Sequence, residues 1–181
     1  MDLRIQRTRK NIINAFIELR ASKPLEKITV KELSDLAFIN KATFYTHYKD
    51  IYDLAEQLEN EAVTSILNDI THPEYLVTHP KQGIMELTSA FLRQGSIFNI
   101  LFSGTRQGIL IDRIENNLKE KIYSIYPEYK TELEKELLLS VLIHGNFRAF
   151  ANHTNENFDK VIEILGNISE CLLQNYEHPA P

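Results

Sequence analysis

The stretch from residue 28 to residue 54 contains three helix-start signals in close succession. Thr29 and Glu32 have the spacing of a capping box, in which a hydroxyl and a carboxylate each satisfy a free backbone N–H. Asn40 and Asp50 are the next residues with side chains suited to an N-cap. Such short spacing predicts two short helices in a row, which few folds accommodate.

Longer helices flank this pair. Apolar residues at positions 12, 15, 16 and 19 share one helical face before Pro24, and those at 51, 54, 58, 62 and 66 share another face after Asp50. The connection between the two short helices is a turn of about three residues, the layout of a helix-turn-helix motif.

The remainder of the chain also reads as helix. The stretch 71–81, THPEYLVTHPK, has two prolines and is predicted to be a linker. Helices are predicted over 83–103, from the SGTRQG break (103–108) to about 126, over 128–150 and over 157–176, and no strand-like alternation persists. We therefore predict an all-α protein with two domains, 1–55 and 56–181.

Charge is distributed unevenly. The net charge is −5, yet residues 1–55 carry ten Lys and Arg against seven Asp and Glu, which makes this part +3 and the remainder −8. This asymmetry suggests a polyanion as the partner of the N-terminal domain, although a chance fluctuation in composition would give the same pattern. No run approaches the roughly 20 apolar residues of a membrane span. The single cysteine, Cys171, excludes an intrachain disulfide, indicates a cytoplasmic location and is expected to be buried.

The segment NKATFYTHYKD (40–50) is too polar for a core helix and too aromatic for an ordinary surface helix. A recognition helix in the DNA major groove needs one apolar face, here Phe44, and a second face of hydroxyls, amides and cations for bases and phosphates. The predicted DNA-binding residues are Thr29, Asn40, Lys41, Ala42, Thr43, Tyr45, Thr46, His47, Tyr48 and Lys49. The basic residues Arg4, Arg7, Arg9 and Lys10 either contact DNA or solvate the terminus.

The segment ITVKELSDLAFINKATFYTHYKDIYDL (28–54) resembles the DNA-binding signature of the TetR/AcrR family of bacterial transcriptional repressors. The resemblance covers residues 5–55 and departs at Phe38, where the family often has glycine, and at Ile51, where a lysine is common. It implies a cytoplasmic homodimer that binds a palindromic operator through an N-terminal three-helix domain. A C-terminal helical domain would bind a small-molecule effector, which releases the DNA.

Two further sets of residues follow from the apolar faces of the C-terminal part. The last two long helices carry the predicted dimer interface, namely Leu138, Val141, Leu142, Gly145, Val161, Leu165, Ile168 and Leu172, although these faces could also be buried within one subunit. An effector pocket is predicted among Phe91, Phe98, Phe102, Tyr123, His144 and Phe147, each of which could equally be core.

The sequence has no motif for an enzyme: there is no GxSxG, no phosphate-binding glycine loop and no HExxH. The six histidines show no metal-ligand spacing, so neither a metal nor another cofactor is expected. One alternative function is a regulator with the same motif that acts through a protein partner without a small-molecule ligand. An enzyme on a helical scaffold is the remote alternative.

Overall fold

The computed structural model describes residues 3–103, 106–153 and 155–177, and the side chains of these residues except 96–98, 107 and 177. All regular structure in these ranges is helical, which confirms the predicted all-α class. The described helices form two compact units, Met1–Ala62 with Gly95–Gln107, and Val63–Gln94 with Gly108–Pro181. No helix in the described ranges is both long enough and apolar enough to cross a bilayer.

The first unit contains the helices from the start of the chain through part of the fourth α-helix, together with a second segment of the chain, residues 95–107. Its elements are α1 (Leu3–Ser22), the 3-10 turn (Leu25–Lys27), α2 (Val30–Leu36), α3 (Lys41–Tyr45), the first part of α4 (Ile51–Asp69), α7 (Gly95–Leu101) and the first residues of α8 (Arg106–Ile125). The expected boundary at 55/56 therefore falls inside α4, and residues 95–107 belong to the first unit.

The three N-caps predicted from the sequence are confirmed. The side chains of Thr29, Asn40 and Asp50 each accept a hydrogen bond from the backbone N–H three residues further on, at 3.2, 2.7 and 2.8 Å. Each such cap contributes about 1 kcal/mol and fixes the residue at which a helix begins. The carboxylate of Glu32 does not complete a capping box in the structure but pairs with Lys23.

Helix α2 ends in a Schellman motif built around a phenylalanine. Phe38 N–H donates to Asp35 O at 3.3 Å, and Ile39 N–H donates to Ser34 O at 3.0 Å. The motif places Phe38 in the left-handed region with φ of +54°, where glycine is the usual residue. The turn is thus made without glycine, as expected, and the side chain of Phe38 is left 93% exposed.

The core of the first unit takes one or more residues from each of the first four helices. Ile12, Phe16, Leu33, Phe44 and Leu54 are completely buried. Since α1 packs on α2 and α2 packs on α3, these side chains hold the two short helices against the longer ones. Neither short helix is long enough to be stable alone, so this packing is what maintains them.

The second unit contains the rest of α4 and α8 and five further helices. These are α5 (Tyr75–Thr78), α6 (Pro80–Arg93), α9 (Glu128–Thr131), α10 (Leu133–Asn152) and α11 (Phe158–Glu177). Helix α6 packs on α5 and α11, and α10 packs on α9 and α11. Ile84, Phe150, Ile162 and Leu165 form a buried cluster between α6, α10 and α11.

The predicted linker over 71–81 is wrong. Leu76 and Val77 are buried in α5, and Pro80 opens α6 rather than interrupting a helix. Proline is well suited to a first helical position because its missing N–H would have had no partner there. The segment is therefore part of the packed unit, and its prolines mark helix starts.

Candidate nucleic-acid interface

Helix α3 has one inward-facing and one outward-facing side. The ring of Phe44 is completely buried and has edge contact with the ring of Tyr45 at a centroid separation of 5.6 Å. Lys41, Ala42 and Tyr45 are exposed, Tyr45 by 57%. Phe44 therefore fixes the orientation of α3, and this orientation leaves its other side chains free for a partner.

Nine of the ten predicted DNA-binding residues are accessible. Thr29, Asn40, Lys41, Ala42, Tyr45, Thr46 and Lys49 are exposed, and Thr43 and His47 are half-buried. We call these nine residues the recognition surface.

Part of the hydrogen-bonding capacity of the recognition surface is already used. Asn40 Oδ1 accepts from both the N–H and the hydroxyl of Thr43, at 2.7 and 2.9 Å, and the Thr46 hydroxyl donates to Thr43 O at 2.6 Å. These bonds leave the Asn40 amide nitrogen as a donor and the Thr43 hydroxyl oxygen as an acceptor. Donors and acceptors of this kind can read base edges or bind phosphate.

Lysines supply positive charge around α3. Lys31 and Lys41 are exposed and form no ion pair within the part of the chain that the structure describes. Lys49 lies beside Asp53, whose Oδ2 accepts the Lys49 backbone N–H at 2.8 Å. That bond, together with one from Gln57, lowers the pKa of the Asp53 carboxyl against a smaller opposing effect of burial. Asp53 therefore remains anionic and offsets part of the Lys49 charge.

The tenth predicted DNA-binding residue, Tyr48, is not accessible, so this prediction is wrong. Its side chain is only 3% exposed, and its ring packs on Phe44 at a centroid separation of 5.8 Å. Burial raises the pKa of the Tyr48 hydroxyl, against an opposing effect of the Arg9 guanidinium. A hydroxyl in this position cannot reach a phosphate. The available signal was the four-residue spacing from Phe44, since Tyr48 N–H donates to Phe44 O at 3.0 Å in the turn that follows α3.

The N-terminal basic residues do not behave alike. Arg9 forms an ion pair with Glu61 of α4, and this hydrogen bond raises the pKa of the guanidinium. Arg7 and Lys10 are exposed. Arg9 thus ties α1 to α4.

The residues predicted to line an effector pocket are brought together only in part. Phe91 and Phe147 are buried in the second unit with their rings 4.9 Å apart, so each fills the space beside the other. Phe102 is buried in the first unit, and the side chain of Phe98 lies outside the described residues. Tyr123 is half-buried, with Lys130 Nζ 5.6 Å from its ring centroid. His144 Nε2 forms a hydrogen bond with Glu115 Oε2 at 2.6 Å.

The predicted dimer residues divide between the inside and the outside of the second unit. Leu138, Leu142 and Leu165 are buried in the core of the unit, and Val161 and Leu172 are half-buried. Only Val141, Gly145 and Ile168 are exposed. Leu133, Leu137 and Ile164, which are not among the predicted residues, are also exposed. Cys171 is exposed, so the prediction that it is buried is wrong.

Comparison of the chain with protein-family models, with curated proteins and with solved structures gives no match.

Proposed function

We propose that this protein is a DNA-binding transcriptional regulator of the TetR/AcrR type, in which α2 and α3 are the helix-turn-helix. The observation that carries the proposal is α3 itself. One completely buried ring, Phe44, anchors it, while Lys41, Tyr45 and Lys49 project from or beside it without being needed for the core. An exposed aromatic and two exposed lysines suit a groove lined with phosphates.

In this proposal the two short helices contact different parts of the DNA. Helix α3 enters the major groove, where Thr43 and Tyr45 face base edges and sugar–phosphate atoms. Lys41 and Lys49 contact phosphates on either side, and Thr29 contacts the backbone from the start of α2. Phosphate contacts supply most of the affinity, so binding should weaken steeply as salt is added.

The proposal includes a homodimer formed by the outer faces of α10 and α11. These two helices pack against each other and expose Leu133, Leu137, Val141, Ile164 and Ile168, each by 48% or more. Exposed apolar side chains clustered on neighbouring helices mark an interaction surface. A two-fold dimer would place two recognition helices about 34 Å apart, so that each reads one half of a palindrome.

Gly145 would allow a helix of the partner subunit to pack closely against α10. It lies within α10, it is exposed, and a Cβ placed on it would meet nothing within 4 Å. A glycine inside a helix costs about 1 kcal/mol relative to alanine. Nothing within the described chain requires that glycine, whereas a second helix packed tightly against α10 would.

Release of DNA by a small-molecule effector is part of the same proposal. A ligand that binds the conformation unable to span two half-sites shifts the population away from the DNA-binding form. Repression is the expected output, since bound protein would occlude a promoter. The competing possibility, a regulator that responds to a protein partner instead, is distinguished by whether any small molecule releases the DNA.

Tyr45→Ala and Lys49→Ala should each weaken DNA binding without unfolding the protein. Loss of the Tyr45 contact is expected to reduce affinity about tenfold or more, in the range of a lost base or backbone contact. Lys49→Ala should reduce the slope of log K against log salt by about 0.9, the value for one phosphate. The measurement is fluorescence anisotropy on duplexes selected from a random pool, repeated over a range of salt concentrations.

Tyr176→Ala is the matched control for the tyrosine, because Tyr176 is 56% exposed on α11 against 57% for Tyr45. Lys160→Ala is the control for the lysine, since Lys160 is exposed at the start of the same helix. Unchanged affinity in both test variants would refute the placement of the recognition helix. A random pool that yields no bound duplex at all would refute DNA binding.

Val141→Glu should dissociate the dimer. Val141 is 56% exposed in the single chain, so the substitution leaves the core intact but places a charge in an apolar interface. The dimer dissociation constant, measured by sedimentation velocity over a concentration series, should rise at least about tenfold. Asn116→Glu adds the same charge at an exposed position on α8 and should have no effect. A wild-type monomer at all concentrations would contradict the dimer.

A further inference from the structure

Three potential metal ligands, carried by two helices, lie close together in the second unit. Asp112 and Glu115 are one turn apart on α8, and His144 lies on α10. A carboxylate oxygen of each acid and a ring nitrogen of the histidine all lie within 4.8 Å of one another. The Asp-x-x-Glu spacing on a helix is easily overlooked in a sequence, and the histidine comes 29 residues after Glu115.

Glu115 is held so that its two oxygens have different partners. Its Oε1 lies 2.9 Å from Lys119 Nζ, whereas its Oε2 lies 2.6 Å from His144 Nε2. Lys119 in turn donates to Glu136 Oε1 and to Ser140 Oγ, both at 2.6 Å. The orientation of the Glu115 carboxylate is therefore set from the Oε1 side, and Oε2 is directed toward the histidine.

The cluster has an excess of negative charge. Asp112 and Glu115 place two carboxylates within 4.8 Å of one another, whereas the ammonium of Lys119, which pairs with Glu115, is shared with Glu136. Asp112 is exposed and forms no ion pair within the described part of the chain. Two carboxylates this close repel each other unless a cation lies between them, and a divalent ion would balance the charge.

We propose that Asp112, Glu115 and His144 bind a divalent first-row transition ion of the zinc type. One imidazole nitrogen and two carboxylate oxygens are suitable ligands at distances of about 2.0–2.2 Å, with water completing a tetrahedron. The ion takes the place of the hydrogen bond between Glu115 Oε2 and His144 Nε2. Lys119 keeps its bond to Oε1 and positions the ligand from behind.

The imidazole selects among cations. Mg²⁺ and Ca²⁺ prefer sites made only of oxygen ligands, with six or more positions filled, whereas nitrogen suits zinc and its neighbours. This inference goes beyond the proposed regulator and does not depend on it, because the ion would bridge α8 and α10 whether or not the protein binds DNA.

The test is a titration of the full chain with Co²⁺, in a protein without a histidine tag and in chelator-treated buffer. Co²⁺ in a tetrahedral nitrogen–oxygen site produces visible absorption bands, and Zn²⁺ should displace them. We expect saturation at one ion per chain. Glu115→Gln and His144→Gln, which keep side-chain size, should each weaken Co²⁺ binding at least tenfold.

Two further variants make the result decisive. Asp112→Asn changes an exposed side chain outside the Lys119 network, so it should weaken Co²⁺ binding with unchanged circular dichroism. His153→Gln removes an exposed histidine at the end of α10 and should have no effect. No visible bands, or bands equally reduced by His153→Gln, would overturn the site. Displacement by equimolar Mg²⁺ would overturn the assignment to a transition ion.

Discussion

Replacing Arg106 by methionine is expected to lower the free energy of unfolding by about 3–5 kcal/mol, the usual consequence of removing one partner from a buried ion pair. Arg106 binds Glu59 through two hydrogen bonds, one from Nε to Oε1 and one from Nη2 to Oε2 at 2.6 Å. The Glu59 side chain is only 1% exposed. This contact joins α4 to the start of α8 within the first unit.

The cost arises from the carboxylate rather than from the lost contact itself. Once Arg106 is gone, the buried Glu59 carboxylate loses the two guanidinium hydrogen bonds or must move into water at the expense of packing. The hydrogen bond that Arg106 donates to Glu59 is also the largest influence that raises the pKa of the guanidinium. Urea unfolding followed by far-UV circular dichroism, at one fixed protein concentration, measures the change.

A second arginine provides the control. Arg93 Nε lies 3.0 Å from Asp69 Oδ2, but these side chains are 53% and 37% exposed. Arg93→Met should therefore cost no more than about 1 kcal/mol, because solvent screens surface pairs. In the double variant Arg106→Met with Glu59→Gln, part of the lost stability should return. Equal losses for Arg106→Met and Arg93→Met would show that Glu59 is not confined as described.

Gly83→Ala should destabilise the second unit by about 3 kcal/mol, at the upper end for overpacking. A Cβ at Gly83 would lie 2.6 Å from Leu76 N, 2.7 Å from Tyr75 C and 2.9 Å from Leu76 Cα. All three atoms are backbone, so no side-chain rotation relieves the contact. Helix α5 would have to move away from α6, which exposes the buried side chains of Leu76 and Val77.

Gly108→Ala is the matched control. Gly108 lies in the first turn of α8, is exposed, and has nothing within 4 Å of an added Cβ. The same substitution there should be neutral or stabilising by up to about 1 kcal/mol, because alanine favours helix more than glycine does. The urea midpoint should fall for Gly83→Ala and should stay the same or rise for Gly108→Ala. A Gly83→Ala midpoint equal to that of wild type would refute the close approach of α5 and α6.

The proposed regulator and the proposed metal site can be tested separately. DNA affinity depends on the recognition surface of the first unit, whereas Co²⁺ binding depends on residues of α8 and α10 in the second. A protein that binds Co²⁺ but no duplex would retain the second conclusion and lose the first. If both hold, adding Zn²⁺ to the DNA-binding assay would show whether the ion changes operator affinity.

The sequence by itself determined the features that depend on residues close together in the chain. The N-caps at Thr29, Asn40 and Asp50 involve hydrogen bonds that span three residues, so their partners can be identified without knowledge of the fold. The helical class follows in the same way from apolar periodicity. The inward position of Phe44 follows from both, since the cap fixes the helix start and the neighbouring residues are polar.

Only the tertiary structure decided which helical faces are covered. Tyr48 is buried beside Phe44, and Leu138 and Leu142 are buried on the helix that leaves Val141 exposed. Periodicity identifies an apolar face but not how much of it a neighbouring helix covers. The approach of His144 to Glu115 is likewise invisible in the sequence, because helix packing alone brings together residues 29 positions apart.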